Sequence, residues 1–367
     1  MKHGLLSFLM VPAVVFAAAC AKGSDDNNKP DPAPDDTAIP APAFATGADI
    51  GWASEMEHDG KAFRLTAGGA AADLLDVLKG TGVNAIRLRV WVDPEGGWSG
   101  KEDVVAMARR VQAAGLPLMV DFHYSDFFAD PGRQTVPAAW KADTGNLDKM
   151  CTHVTDHTTE VLEALKAAGV TPAWVQIGNE TRSGMIWPTG QLSKFNDTEW
   201  SAFARLYKAG YAAAKAVCPN AIVMPHLNHA YEDNAWWFNK LKICGASFDA
   251  IALSHYPQSD NDKLSWQNLN STAASRILAL SQSFGVKVMV SEIGVRQSDP
   301  ALGKQILADF LSQVSRQACA GVFYWEPEVY GWWKPAVYSR LGWNSYDMGA
   351  FSSDGSPSAI LDPFKEN

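Results

Sequence analysis

The chain has 367 residues, 47% of them hydrophobic, enough to bury one large core or two medium ones. A formal charge of −9, from 31 basic and 40 acidic residues, argues against a nucleic-acid partner. The 14 tryptophans are a heavy aromatic load whose flat faces suit sugar rings, although many tryptophans serve only as core.

Lys2 and the apolar run 5–16 read as a targeting segment, too short to remain as a membrane span. Ala17-Ala18-Ala19-Cys20 resembles the lipobox of a bacterial lipoprotein signal, so residues 1–19 are expected to be removed and Cys20 lipidated. An ordinary secretory signal cut near the same alanines is the alternative. Residues 20–42 are rich in Pro, Asp and Asn, with almost nothing to bury, and predict a disordered tether. The expected location is therefore outside the cell, held to the bacterial outer membrane by lipid and exposed at the cell surface. Cys151, Cys218, Cys244 and Cys319 show no CxxC spacing, so neither a zinc site nor a redox motif is indicated. Three disulfide pairings, or buried free thiols, all stay open.

From residue 43 onward, strand-like and helix-like stretches alternate. Continuously apolar runs at 45–50, 85–91, 116–124, 173–180, 222–227, 250–256, 287–292 and 321–325 read as strands covered on both faces. Amphipathic runs at 71–79, 102–114, 154–168, 200–217, 273–284 and 304–318 read as the intervening helices. Gly82, Gly115, Gly169 and Gly285 stand where helix ends turn back into strands. Eight strand–helix repeats predict an α/β fold, a single-domain (β/α)8 TIM barrel over 43–367. A doubly wound open sheet is the alternative, but no GxGxxG follows the first strand.

The ends of these strands carry the polar residues: Arg87, Arg89 and Trp91 on the second; Asp121, His123 and Asp126 on or just after the third. Asn179 and Glu180 end the fourth, His226 and Asn228 the fifth, His255 and Tyr256 the sixth. Glu292 ends the seventh, and Trp325 and Glu326 the eighth. On one rim of a closed barrel they would line a single pocket. Glu180 and Glu292 would then face each other as a carboxylate pair, the arrangement that glycoside hydrolysis needs. Taken singly, each glutamate would more simply be the partner of a buried arginine such as Arg89. His153 and His157 lie four apart on a helix, but without a glutamate after the first His they do not form a metalloprotease signature, and they read as a solvated helix face.

Several longer motifs resemble glycoside hydrolase family 53, the arabinogalactan endo-β-1,4-galactanases. They are GADI (47–50) with Glu57-His58, GVNAIRLRVWVDP (82–94), FHYSDFFADPGRQ (122–134), VQIGNETRSGMIWP (175–188), SEIG (291–294) and GWNSY (342–346). The resemblance spans residues 45–355 and implies that Glu180 is the acid/base and Glu292 the nucleophile of a retaining enzyme. The carboxylates of such a pair stand ~5 Å apart. Arg89 or Tyr256 is expected to hydrogen-bond Glu292, and Asn179 the sugar 2-OH. His123, Asp126, His255 and Tyr256 are expected on polar edges of the sugar, with Trp91, Trp325 and Trp343 as stacking platforms. Asp49 and Glu57 are expected to bond within the rim, and Trp236, Trp237, Trp332 and Trp333 to line a groove.

Some bacterial members of that family carry an acidic calcium loop after the nucleophile strand. Here the loop reads VRQSDPAL (295–302) with one acid, so no metal site and no cofactor are expected. The expected partner is galactan, bound by a monomer that meets the membrane only through its lipid. A β-mannanase or β-glucanase on the same barrel is the alternative within enzymes. A tethered glycan-binding lipoprotein is the alternative outside them, and it would not need both glutamates and Asn179.

Overall fold

A computed structural model describes Met1 and residues 38–194 and 196–366. The expected signal segment, the Cys20 lipidation site and the tether as far as residue 37 lie outside the described residues. No described helix is long and apolar enough to cross a membrane.

The strands form one parallel barrel. In chain order they are β1 (Ala45–Asp49), β2 (Ala85–Val90), β3 (Leu118–Phe122), β4 (Trp174–Ile177), β5 (Ile222–Met224, continued by His226–Leu227), β6 (Ala250–His255), β7 (Lys287–Ile293) and β8 (Cys319–Trp325). Each of the eight falls on a stretch read as a strand from its apolar run. Pro225, which has no N–H, divides β5 into two pieces. The first piece pairs with β4 (Trp174 opposite Ile222) and the second with β6 (His226 opposite Ala252). The Pro225 carbonyl still accepts from Ala252 N–H at 2.9 Å. Because β8 pairs with β1 in register, Ala45 opposite Gly321, the sheet closes.

Helices follow the strands: α1 (Ala53–His58) and α2 (Leu74–Gly80) after β1, α3 (Lys101–Ala113), α4 (Leu147–Ala167), α5 (Asp197–Val217), α6 (Ala235–Ile243), α7 (Trp266–Phe284), α8 (Pro300–Gln313), and α9 (Ala336–Leu341) after β8. Several begin one or two turns before the periodic stretches read from the sequence, where side-chain caps fix their first turns. Asn146 Oδ1 accepts from Lys149 N–H ahead of α4, and Ser265 Oγ from Asn268 N–H ahead of α7. Asp299 caps α8 with Pro300 at its first position. Gly285 ends α7 with φ of 68°, the left-handed cap that only glycine adopts without strain.

The barrel interior follows the period-2 rule of strands. Its floor is apolar: Ala45, Ala85, Met119, Trp174, Met224, Ala252, Met289 and Phe323 pack together, with the Trp174 and Phe323 rings edge-to-face at 5.9 Å. One pleat further toward the C-terminal ends, the inward positions turn polar: Asp49, Arg87, Asp121, Gln176, His226 and Ser254 are all buried. The alternate positions, such as Ile86, Leu88, Val120 and Val175, face the helices in the main core. Burying each such aliphatic side chain is worth about 1.5–3 kcal/mol, which holds the scaffold rigid beneath the polar layer.

No disulfide joins Cys151, Cys218, Cys244 and Cys319. Burial pushes the Cys319 thiol up to about 11, so it stays protonated and inert. His153 and His157 are not a solvated face. His153 stacks on Trp140 at 5.2 Å and bonds Asp143 at 2.9 Å, while burial pushes His157 down to about 4.

Candidate active site

The polar layer is built around Arg87. Its guanidinium meets Asp49 at 2.5 Å, Asp121 at 2.7 Å, Glu292 at 2.9 Å and Asn179 Oδ1 at 3.0 Å. Burial works to raise the Asp121 carboxyl, but Arg87 and then His123 outweigh it and hold Asp121 below its ordinary range. A buried cation with three carboxylates is tolerable only because each charge is paired, and removing the cation would leave all three exposed to the low dielectric.

Glu292 reaches this layer through a bulge. Met289 faces the barrel floor and Val290 the helix layer, so simple alternation would turn Glu292 outward. The register between β6 and β7 jumps instead, with Leu253 opposite Val290 and Ser254 opposite Glu292. Ser291 is the extra residue, and the inserted step re-aims Glu292 to the inside. There Oε1 accepts from Arg87, and Oε2 from Tyr256 OH at 2.7 Å and Ser254 Oγ at 3.4 Å.

Glu180 is held differently. It follows Gly178 (φ 78°) and is itself left-handed, with φ of 47°, uncommon for a residue with a side chain. Strain of this sort persists only where the surroundings over-determine it. Here Glu180 N–H donates to His226 Nδ1 at 3.3 Å, and Gln134 Nε2 donates to the Asn179 carbonyl at 2.8 Å. Asn179 Nδ2 donates to Ala129 O at 2.8 Å, which fixes the plane of the amide. His226 joins this strand end to its partner: its Nε2 lies 2.8 Å from Ser254 Oγ, the hydroxyl that also reaches Glu292. Burial, and then Arg87, push His226 well below its ordinary pKa, so it is a neutral link.

Both glutamates line one pocket of about 340 Å³, with His123, Phe128, Tyr256, Trp325 and Trp343 around them. Their electrostatics differ. Burial raises the Glu180 carboxyl well above its ordinary value, and the charge of Glu292 pushes the same way. Burial also raises Glu292, but Arg87 and Tyr256 oppose it. Of the pair, Glu292 is the one the surroundings favour as carboxylate and Glu180 the one they favour as neutral acid.

Some residues expected at the site are elsewhere. Arg89 does not touch Glu292. One pleat beyond Arg87, it pairs with buried Glu326 and lies under Trp52, 4.0 Å from that ring's centre. His255 has the wrong strand parity for the pocket: fully buried, it faces the helix layer, bonding Asn270 at 2.8 Å and packing 4.6 Å from Phe310. His123 lines the pocket, but both nitrogens are engaged, Nε2 with Asp121 at 2.9 Å and Nδ1 as acceptor from Ala129 N–H at 3.0 Å. Asp126 ties loops together, accepting from Asp93 N–H and Ala138 N–H. It and Trp91 border a neighbouring cavity rather than this pocket.

Asp49 accepts from Arg87, and Glu57 from Arg110, so both bond within the protein. Trp237 and Trp333 are buried, Trp236 is half-buried and Trp332 is 75% exposed, and none borders the carboxylate pocket. Residues that sequence reasoning left out include Gln176 and Ser254, which complete the hydrogen-bonded layer, and Glu328, whose carboxylate accepts from Trp52 N–H at 3.1 Å.

Residues 45–362 match the family model described as Glycosyl hydrolase family 53. The chain is 31% identical over 345 residues to the arabinogalactan endo-beta-1,4-galactanase of Thermothelomyces thermophilus, covering 86% of this chain and 98% of that protein. It is 39% identical over 221 residues to an uncharacterized protein of Niallia circulans, spanning 59% of each. Among solved structures it is similar to a fungal beta-1,4-galactanase, with a TM-score of 0.74 and 28% identity, covering 88% of this chain and all of that one.

Proposed function

The chain belongs to glycosyl hydrolase family 53 and is a glycoside hydrolase, and from that premise we propose that it is an endo-acting β-1,4-galactanase that retains anomeric configuration. Glu180 is the acid/base and Glu292 the nucleophile. The observation that carries this reading is the contrast within one pocket. Glu292 receives Arg87, Tyr256 and Ser254 on its two oxygens, while Glu180 is half-buried with the Glu292 charge acting on it and favours its proton.

In the first step Glu292 Oε attacks the anomeric carbon as the bond from that carbon to the leaving oxygen breaks. Glu180 gives its proton to the departing oxygen. The glycosyl–Glu292 ester then lies in the pocket and the negative charge has moved to Glu180, now the base. Water adds to the anomeric carbon, its proton goes to Glu180, and the ester bond returns its electrons to Glu292. The remaining N–H of the Asn179 amide, whose plane Ala129 O fixes, is available to the sugar 2-OH. Tyr256 releases or shares its bond to Glu292 as the ester forms, and Arg87 keeps the deprotonated carboxylate in line. Trp325 and Trp343 border the pocket and offer ring surface to the sugar.

Export, cleavage before Cys20 and lipid anchoring at the outer-membrane surface belong to this proposal, on the sequence pattern Ala17-Ala18-Ala19-Cys20. Loss of detergent-phase partitioning in Cys20→Ala would support the anchor. The function is tested by product release from linear β-1,4-galactan, with β-mannan and β-glucan in parallel and Glu180→Ala as control. Galacto-oligosaccharides from galactan alone, lost in the variant, support the assignment. Hydrolysis of mannan or glucan instead replaces the substrate, and binding without hydrolysis replaces catalysis with capture.

A further inference from the structure

The carboxylate pocket has a roomier neighbour. A second cavity of about 700 Å³, twice as roomy, opens on the same rim between the loops after β1, β2, β3 and β8. Phe128 lines both cavities, and Phe127, 5.2 Å from Trp343, stands in the partition. One wall of the second cavity is apolar, formed by Trp98, Phe127, Phe128, Val136, Val337 and Leu341. Its rim is polar: Asp93 and Glu95 from the β2 loop face Arg340 of α9, which pairs with Glu95 across the mouth. Two buried indole N–H groups in the lining, of Trp52 and Trp91, have no acceptor among the described residues. Trp91 and Asp126, expected from the sequence to contact sugar, line this cavity and not the carboxylate pocket.

We propose that this cavity binds a neutral saccharide portion of the substrate that lies outside the scissile unit and reaches it across Phe128. Aromatic walls accept the C–H faces of sugar rings, and rim carboxylates and a guanidinium supply acceptors and donors for hydroxyls. Four carboxylates in the lining (Glu55, Asp93, Glu95 and Asp126) against two guanidiniums (Arg133 and Arg340) select against an anionic sugar. Both guanidiniums are already engaged, Arg340 by Glu95 and Arg133 over the Trp343 ring at 4.7 Å. The saccharide comes from one of two sources, a further length of the main chain or a branch on it.

The inference rests on the galactanase reading, and its test separates the two. Calorimetric titration of Glu292→Gln protein with linear galactotriose, linear galactohexaose and an arabinose-bearing galactohexaose is compared with the same titrations after adding Trp98→Ala or Asp93→Ala. Trp98 is half-buried, whereas Asp93 is exposed at the rim, so the second variant guards against misfolding by the first. Loss of one aromatic contact weakens binding by about tenfold, so a hexasaccharide should lose about that factor while the trisaccharide stays within about twofold. Loss with the linear hexasaccharide assigns the cavity to the main chain, and loss confined to the branched one assigns it to the branch. Equal loss for short and long ligands, or none for any, overturns the inference. Wild-type hydrolysis of galactan is scored separately, so failure there removes the galactanase reading instead.

Discussion

Tyr256→Phe is the most informative single change at the site, because it removes one hydroxyl and leaves the ring against Trp325. Tyr256 OH donates to Glu292 Oε2 at 2.7 Å, a short bond to a charged acceptor. Bonds of that kind contribute about 1.5–3 kcal/mol, and one pH unit corresponds to about 1.4 kcal/mol. The sign is set by which form the hydroxyl favours. It stabilises the carboxylate, so losing it lifts the Glu292 carboxyl further above its ordinary value. Arg87 on the other oxygen and the longer bond from Ser254 Oγ are then left to oppose burial. The acid limb of the kcat/KM profile should therefore move toward neutral pH by about one to two units. Activity above that limb should change less. The assay is reducing-sugar release from linear galactan across pH 3–9 for both proteins. An unmoved acid limb with a uniform drop at every pH would refute the reasoning and leave Tyr256 as a substrate contact only.

Other expectations follow from the same geometry. Arg87→Leu leaves Asp49, Asp121 and Glu292 buried without their cation, and should cost about 3–5 kcal/mol in denaturant unfolding at neutral pH; a loss under 1 kcal/mol would mean the layer rearranges freely. Glu180→Gln should gain in thermal stability over the wild type as pH rises. The folded-state pKa of Glu180 is raised, so the stability its neutral form contributes is complete below the unfolded carboxyl range and is lost as pH climbs through the raised value. Glutamine carries no such loss. The melting-point difference should be near zero at pH 4 and grow toward pH 9 by roughly 2 °C for each unit of displacement traversed. Gly47→Ala would put a methyl 2.1 Å from the Phe323 ring in the barrel floor, and should destabilise by about 1–3 kcal/mol in urea unfolding with the pocket chemistry unchanged in its pH profile.

Much of this architecture was legible in the sequence. Eight apolar runs with glycines at the helix–strand turns gave the barrel, because covered parallel strands show hydrophobicity on both faces. What could not be read from apolar periodicity were helix starts, where the caps Asn146, Ser265 and Asp299 govern. Short α1, α6 and α9 carry too little periodic signal to be seen. At the site, strand parity alone separates Tyr256 from His255. Applied to Arg87 and Arg89 it places both inside but does not say which pleat reaches the carboxylate. Glu292 is the harder case, since strict alternation from Met289 would have turned it outward. Only the bulge at Ser291, a pairing feature of two strands, brings it in. Loop aromatics were the least legible: Trp333 and Trp237 are packing residues, and Trp98 borders the second cavity.

The measurement closest to the central claim is the anomeric form of the first product, followed by proton NMR while the enzyme cuts linear β-1,4-galactan. Two displacements, first by Glu292 and then by water assisted by Glu180, give the β-anomer at the new reducing end, with the α-anomer appearing only later by mutarotation. Initial release of the α-anomer would mean a single displacement by water. It would contradict Glu292 as nucleophile.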